Sequence, residues 1–174
     1  MNDTATLSPP AAQAVRPAKP IAEAIVEVIS DSGEGAQRCG QSLGAIAARM
    51  GNGIWTTEII PAEIQPPARS VAGASGIRIR IGAGRVTNGG DQTELVVAFN
   101  EQVLIGRVQA SELKSGATIL LESMWRSHRD PTVVASYVKT VEALRKDGFK
   151  VIEVPLEERC KELVNDPHKG KNMF

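Results

Sequence analysis

The residues best suited to bind a ligand lie in one short stretch, VISDSGEGAQRCG, at positions 28–40. An apolar run ends there in serine and acidic residues, passes two glycines and continues into a helix-forming segment. Ser32, Gly33, Glu34 and Gly35 therefore precede a helix N-terminus, where unpaired N–H groups and the helix dipole favour phosphate. The same glycines would also serve a tight strand-to-helix corner that needs positive φ. The residues alone leave both interpretations open.

Known phosphate-binding fingerprints do not match this turn. From Gly33 the sequence reads GEGAQR, so Arg38 stands where a dinucleotide-binding loop has its third glycine. A Walker A loop is excluded as well, since no Gly-Lys-Ser/Thr follows. Glu34, directly before a helix, fits a role in complementing the helix dipole or holding the loop better than a role as a base. We therefore predict no catalytic residue in the turn.

The other reactive side chains have simple interpretations. Cys39 falls on the predicted helix and is expected to be a small core residue. His128 in WRSHRD and His168 in DPHKGK lack the oriented partner that acid–base catalysis needs, and we expect both to be exposed to solvent. With only two distant cysteines, Cys39 and Cys160, the chain offers neither an iron–sulfur ligand set nor a zinc ribbon, so no metal site is predicted.

Composition narrows the class of protein. The chain has 174 residues, 42% of them hydrophobic, which suits one domain with a real core. Its 20 basic and 20 acidic residues balance, so nucleic acid and anionic membranes are not expected partners. No apolar run approaches the roughly 20 residues that span a bilayer, and nothing at the start resembles a signal peptide. We expect a cytoplasmic protein.

The elements that must position the turn follow from hydrophobic periodicity and caps. Residues 1–20 form an Ala/Pro-rich segment predicted to be a flexible tail, and residues 21–174 form the domain. Strands are predicted at 24–29, 54–60, 76–82, 93–99, 115–123 and 149–154. Helices are predicted at 36–50, from 101 to about 113, at 131–146 behind an Asp130 cap, and shortly after Pro155.

Two of these elements carry further predictions. In the first helix, spacing of three and four predicts a buried stripe of Cys39, Leu43, Ile46, Ala47 and Met50. The stretch GIRIRIG alternates strictly, which predicts an antiparallel strand with Arg78 and Arg80 on one face. These arginines would either form a solvated face or contact a partner subunit or a nucleotide phosphate.

Strands alternating with helices predict an α/β fold. We expect three layers, with a mostly parallel mixed sheet, helices on its faces, and one antiparallel excursion around residues 74–82.

The ordered motifs SDSGEG, TTEIIPAEI, GIRIRIG, TELVVAFN and KGKNMF resemble the gamma domain of 2-oxoacid:ferredoxin oxidoreductases, the pyruvate/ketoisovalerate oxidoreductase catalytic domain family. The resemblance covers about residues 24–174 and is strongest to the N-terminal part of the 2-oxoglutarate enzyme's alpha subunit. Ser30 and Ser32, and later Pro66 and Pro67, stand where the family commonly has glycines, which indicates a subtype. The chain is interpreted either as part of a fused alpha subunit or as a free gamma chain lacking its last helix.

The resemblance implies a component of an enzyme that oxidatively decarboxylates a 2-oxoacid to acyl-CoA, with 2-oxoglutarate preferred. It implies that this domain helps bind coenzyme A, with Arg38 or Arg69 as counter-charges to its phosphates. Thiamine diphosphate, magnesium and iron–sulfur clusters are expected on partner alpha and beta regions or on a continuation of the chain, with ferredoxin reached through the complex. The alternative is a free-standing nucleotide-binding, regulatory or structural module without catalysis.

Overall fold

The computed structural model describes residues 20–63 and 65–164. The predicted tail therefore lies outside the described residues apart from Pro20, as does His168. The strands are β1 Glu23–Asp31, β2 Gly53–Ile59, β3 Ala74–Gly82, β4 Thr93–Ala98, β5 Leu113–Glu122 and β6 Lys150–Val154. The helices are α1 Ala36–Arg49, α2 Gln102–Gln109, α3 Pro131–Lys146 and α4 Leu156–Leu163, with short 3-10 turns at Val71–Gly73 and Met124–Ser127.

These strands form one mixed sheet with the order β2-β3-β1-β4-β5-β6. Neighbours from β1 through β4 and β5 to β6 pair in parallel, whereas β3 pairs antiparallel with both β1 and β2. Since GIRIRIG lies in β3, the predicted antiparallel excursion is confirmed. The α/β class with a mostly parallel sheet is confirmed with it.

Helices cover both faces of the sheet. On one face, α1 packs beside a core that includes Val28, Ile77, Ile79 and Phe99. On the other face, α2 and α3 complete a larger core around Ile29. The members of this core from the two helices are Val103, Leu104, Tyr137, Val141 and Leu144. The result is the predicted three-layer arrangement.

The prediction of which α1 residues form its buried stripe is wrong for most of them. The side of the helix that packs on the sheet is made of small residues, namely Ala36, Gly40, Gly44 and Ala47. Leu43, Ile46 and Met50 are exposed instead. The reason is the close approach of helix and sheet: a Cβ on Gly40 would lie 1.9 Å from Cγ2 of the buried Ile77. Spacing alone favoured the large residues, but the sheet leaves room only for the small ones.

The boundaries of α2 need a second correction. Asn100 does cap the helix start, because its Oδ1 accepts from the amides of Gln102 at 3.0 Å and Val103 at 3.2 Å. The helix ends at Gln109 rather than near Leu113. Leu113 already begins β5 and pairs with Thr93 of β4. The local sequence pattern predicted a longer helix, but pairing between β5 and the neighbouring β4 makes the helix end earlier.

The predicted limits of α3 are confirmed. Asp130 Oδ1 accepts from the amide of Thr132 at 2.8 Å, and Pro131 occupies the first turn. After the helix, Gly148 has φ of +89°, the left-handed conformation in which glycine ends helices without strain. Both ends of α3 therefore follow local rules that the sequence displays.

Candidate functional site

The turn between β1 and α1 is closed by Glu34. Its carboxylate Oε2 accepts from the backbone amide of Asp31 at 3.1 Å, and its own amide donates to the Asp31 carbonyl at 3.3 Å. Gly33 and Gly35 have φ of +91° and +86°, so both glycines adopt the left-handed backbone conformation that favours glycine. Of the interpretations of Glu34, the structure supports the one in which this residue holds the loop.

Part of the turn's hydrogen-bonding capacity is used within the protein. The amide of Ser32 donates to the carbonyl of Gly73 at 3.1 Å, so it points at the 70–73 loop. Ser32 and Gly33 are nevertheless exposed, and a Cβ at Gly33 would meet nothing within 4 Å. Behind them α1 begins with no acidic residue in its first turn, which leaves the positive end of its dipole facing the turn. Open space therefore lies beside a helix N-terminus.

Arg69 joins the turn from a distant part of the sequence. Its backbone amide donates to Asp31 Oδ2 at 2.8 Å, which fixes its loop against the end of β1. It adopts φ of +54°, a left-handed conformation that non-glycine residues adopt at a cost. This contact holds Arg69 next to the turn that the sequence singled out.

The Arg69 side chain extends from β1 to the ends of β4 and β5. Its Nη2 forms an ion pair with Oε1 of Glu101, and its guanidinium carbon lies 4.1 Å from the centroid of the Trp125 ring. Glu101 is fully buried and also accepts from Gln102 Nε2 at 2.9 Å. Trp125 is held in turn by a 2.8 Å hydrogen bond from Nε1 to the Phe99 carbonyl. Three strand ends therefore converge on one guanidinium.

Three buried atoms of this group have no hydrogen-bond partner within the described residues: Asp31 Oδ1, Arg69 Nη1 and Glu101 Oε2. We call these three residues the strand-end cluster. Buried polar atoms in native proteins are normally paired, and each one left unpaired costs about 1–3 kcal/mol. The strand-end cluster is thus a site with unused hydrogen-bonding capacity.

The topology of the sheet explains why these residues meet. From β1 the chain crosses through α1 to β2 on one side, and from β4 it crosses through α2 to β5 on the other side. Adjacent parallel strands whose connections diverge leave a crevice at their carboxyl ends, where open α/β sheets bind ligands. Asp31 and Glu101 lie at those two strand ends.

The predicted site residues have the following positions. Ser32, Gly33, Glu34 and Gly35 form the turn, and Arg69 lies against it. Arg38 is exposed on the first turns of α1, and its backbone carbonyl accepts from the Ser42 hydroxyl.

Sequence reasoning missed Asp31, Glu101 and Trp125. One signal was present: Asp31 and Glu101 follow two β-branched apolar runs that end in polar residues. The carboxyl ends of parallel strands meet at one edge of a sheet.

Arg78 belongs to a separate ion-pair network. Its Nε donates to Glu27 Oε1 at 2.8 Å, and its Nη2 pairs with Glu112. Glu27 is fully buried and also binds Arg107. With 11% of its side chain exposed, Arg78 is not part of a solvated strand face, so that interpretation is wrong for this residue. Arg80 is 21% exposed and pairs with Glu23 on the surface.

Within residues 20–63 and 65–164, the remaining reactive side chains show no catalytic arrangement. His128 is half-buried rather than exposed, because its ring centroid lies 5.7 Å from that of Trp125 and its Nδ1 accepts from the Asp130 amide at 3.1 Å. Burial raises the pKa of the Cys39 thiol, which suits a packing residue. In the part of the chain that the structure describes, no group of three or more His, Cys, Asp or Glu could hold a metal ion. Among those same residues, no helix is both long and apolar enough to cross a bilayer.

Solved structures share this fold. A 2-oxoglutarate:ferredoxin oxidoreductase from Magnetococcus marinus, solved with 2-oxoglutarate, coenzyme A and succinyl-CoA bound, aligns over 88% of this chain and 23% of its own, with a TM-score of 0.64 and 19% identity. The gamma subunit of a keto/oxoacid ferredoxin oxidoreductase from Geobacter sulfurreducens aligns over 86% and 71%, with a TM-score of 0.56 and 16% identity. Pyruvate oxidoreductase subunit PORC from Thermotoga maritima aligns over 87% and 74%, with a TM-score of 0.54 and 15% identity.

Sequence comparison adds a curated relative and a family. The 2-oxoglutarate oxidoreductase subunit KorA of Mycobacterium tuberculosis is 27% identical over 157 residues, which are 86% of this chain and 24% of KorA. The chain thus spans about a quarter of the length of that relative. Residues 26–174 match the family described as pyruvate ferredoxin/flavodoxin oxidoreductase. The resemblance recognised from the ordered motifs is confirmed, and the chain belongs to the pyruvate ferredoxin/flavodoxin oxidoreductase family.

Proposed function

We propose that the chain is a component of a 2-oxoacid:ferredoxin oxidoreductase that acts on 2-oxoglutarate, and that its β1–α1 turn helps bind coenzyme A. The observation that carries this proposal is the position of an exposed glycine turn and a helix N-terminus at the strand ends where open α/β sheets bind ligands. The substrate and ligand are supported by the names of two similar proteins, KorA and the Magnetococcus marinus enzyme.

The residues of the turn have distinct tasks in this proposal. Gly33 and Gly35 give the backbone the left-handed conformation that turns it into α1, and the missing side chain at Gly33 leaves room for a phosphate. Glu34 holds the turn in place through Asp31. Arg38, exposed near the start of α1, supplies positive charge from the solvent side.

The redox chemistry belongs to groups outside these residues. Thiamine diphosphate with magnesium would supply the decarboxylation, and iron–sulfur clusters would carry electrons to ferredoxin. We place these groups on thiamine-diphosphate-binding alpha and beta regions, either partner chains or further sequence, since the chain covers about a quarter of KorA. This domain contributes ligand position rather than bond-breaking groups.

A second candidate function is a purely structural corner in an α/β module. It is favoured by one observation: the amides of Ser32 and Glu34 already donate to protein carbonyls. Under this alternative the glycines are needed only because the backbone adopts positive φ there, and no ligand binds the turn.

Gly33→Val separates the two functions when coenzyme A affinity is measured by calorimetry in the assembled complex. Gly148→Val is the matched control, because Gly148 has φ of +89° and an equally open surrounding but lies before β6, at the opposite edge of the sheet. Both variants bear the same backbone cost. We expect Gly33→Val to weaken coenzyme A binding by about tenfold, the loss of roughly one hydrogen bond to a charged group, and Gly148→Val to leave it unchanged. Equal affinities in both variants would favour the structural corner.

A further inference from the structure

The two edge strands of the sheet differ in how well they are protected from pairing with another strand. Exposed edges are normally protected by short length, by lysine, by proline or by a bulge. β6 has five residues, begins with Lys150 and is followed directly by Pro155. β2 has seven residues without lysine or proline, and its pairing with β3 runs from Gly53 to Ile59 without a register shift. The outer edge of β2 is therefore free of these protecting features.

The side chains of β2 are also poorly covered. Four consecutive residues, Trp55, Thr56, Thr57 and Glu58, are exposed, and because successive side chains alternate between faces, both faces of the strand reach solvent. Trp55 alone is 44% exposed. In the part of the chain that the structure describes, β3 is the only strand that pairs with β2. An exposed tryptophan on an unpaired edge is typical of a contact surface, where this residue is enriched.

We propose that the outer edge of β2 binds β2 of a second copy of this chain, antiparallel and about a two-fold axis at Thr56. A two-fold interface uses the same surface on both copies, so the strand must complement itself. In this register Thr56 lies opposite Thr56, and Trp55 lies opposite Thr57 of the second copy. Thr–Thr and aromatic–β-branched pairs are favourable between antiparallel strands. The pairing joins the two six-stranded sheets into one.

Helix α1 is placed to add a second contact. A Cβ on Gly40 would have side chains of β3 as its three nearest neighbours, whereas a Cβ on Gly44 would meet side chains of β2 first. The axis of α1 thus lies above the boundary between β2 and β3. Because neighbouring strands are about 4.8 Å apart, the two α1 axes would be roughly 10 Å apart, a distance at which helices pack.

The side of α1 turned towards the edge is suited to such close packing. Rotation around the helix from Gly40 to Gly44 leads from β3 to β2, and the same sense of rotation continues to Ala48 and Ala45. Both alanines are exposed. Their small side chains leave room for α1 of the second copy.

The charges near β2 are compatible with this register. Glu58 is the only charged residue of the strand, and it lies opposite Ile54 of the second copy, so no like charges oppose each other. Since Glu58 pairs with Ile77, a residue of the core beneath α1, its side chain is on the α1 face. Arg49 ends α1 shortly before β2 begins. Antiparallel pairing therefore brings each Glu58 towards Arg49 of the other copy.

The mass of the purified full chain by light scattering gives the first test. We expect the wild type to have twice the 18.5 kDa mass of one chain. Thr56→Lys places two ammonium groups opposite each other at the axis and should halve that mass. Ser115→Lys, at an exposed position of the interior strand β5, is the matched control and should leave the mass at that of two chains. Thermal unfolding confirms that both variants are folded.

Cysteine cross-linking tests the register itself and does not depend on Thr56→Lys. Directly opposite residues of antiparallel strands have Cα atoms about 4.5–5.5 Å apart, within the span of a disulfide. Thr56→Cys should therefore give a covalent dimer under mild oxidation. Glu58→Cys, on the same face of β2, is the matched control, because its two copies would lie about 13 Å apart. The oxidised wild type controls for Cys39 and Cys160.

Three results would overturn the proposal. A wild type with the mass of one chain would leave the edge to a strand from another region of the enzyme. A folded Thr56→Lys variant that keeps the mass of two chains would place the contact elsewhere, and equal cross-linking of Thr56→Cys and Glu58→Cys would exclude the register. None of these measurements involves coenzyme A, so they test the surface independently of the proposed function.

Discussion

Arg69 and Glu101 form an ion pair at the carboxyl edge of the sheet, with Glu101 fully buried and 15% of the Arg69 side chain exposed. Removal of one partner from such a pair leaves a buried charge without compensation. The Arg69 guanidinium also lies over the Trp125 ring, so the arginine contributes contact area as well as charge. Its loss therefore has consequences for stability that can be measured apart from ligand binding.

We expect Arg69→Ala to lower the free energy of unfolding by about 3–5 kcal/mol, because Glu101 would stay buried and unpaired. Lys114→Ala breaks a control pair, Lys114 to Glu94 at 3.0 Å, whose side chains are 58% and 37% exposed. That change should cost less than about 1 kcal/mol. Urea unfolding of both variants compares the two costs, and similar losses would contradict the special role of the buried pair.

Gly40 and Gly44 provide a test of how closely α1 packs on the sheet. A Cβ on Gly40 would lie 1.9 Å from Ile77 Cγ2, whereas a Cβ on Gly44 would find its nearest neighbour at 3.6 Å, an ordinary contact. Gly40→Ala should therefore destabilise the fold by about 1–3 kcal/mol through overpacking. Gly44→Ala should be neutral or stabilise it by up to about 1 kcal/mol, because alanine favours the helix. Thermal melts that rank the two variants in the opposite order would show that the helix sits differently.

Elements with local signals could be predicted from the sequence. The strict alternation of GIRIRIG identified β3, and the Asp130 cap with Pro131 marked the start of α3, because these signals act within a few residues. The end of α2 was misplaced, since pairing between Leu113 and Thr93 decides it. Interactions between distant segments are invisible to a local pattern.

The candidate site likewise has one part that could be predicted from the sequence and one part that could not. The turn at residues 32–35 could be predicted because a short motif creates it, and the family resemblance added Arg69. The convergence of Asp31 and Glu101 on Arg69 depends on β1 and β4 being neighbours in the sheet. That order is set by the whole topology. The side of α1 that packs on the sheet was missed for a related reason, because only the sheet decides whether glycine or leucine fits.

Ionisation of the Glu153 carboxyl makes the stability of the fold depend on pH in the acid range. The hydrogen bond from Arg126, together with those from Tyr137 and Arg145, holds the pKa of the Glu153 carboxyl below its ordinary value of 4.5. The unfolded chain therefore takes up this proton at higher pH than the folded chain does. The stabilisation is fully present above pH 4.5 and is lost as the pH falls through the lowered pKa.

We expect the urea midpoint of the wild type to fall between about pH 5.5 and about pH 3.5, and Glu153→Gln to show a shallower fall over the same range. Arg126→Gln should also make the fall shallower, since it removes the main cause of the lowered pKa. A Glu153→Gln profile parallel to that of the wild type would assign the pH dependence to other carboxylates.

The last prediction concerns activity: the chain alone should not turn over 2-oxoglutarate. Its only cysteines, Cys39 and Cys160, are too few for a cubane cluster, which needs about four thiolates. Electrons from a decarboxylated 2-oxoacid would then need cofactors carried by other regions of the enzyme. The assay is reduction of a viologen dye that depends on 2-oxoglutarate and coenzyme A, run with the chain alone and then with thiamine- and cluster-bearing partners. We expect activity only in the second mixture. Turnover by the chain alone would overturn its role as a component, and full activity of the partners without it would leave it a structural part of the complex.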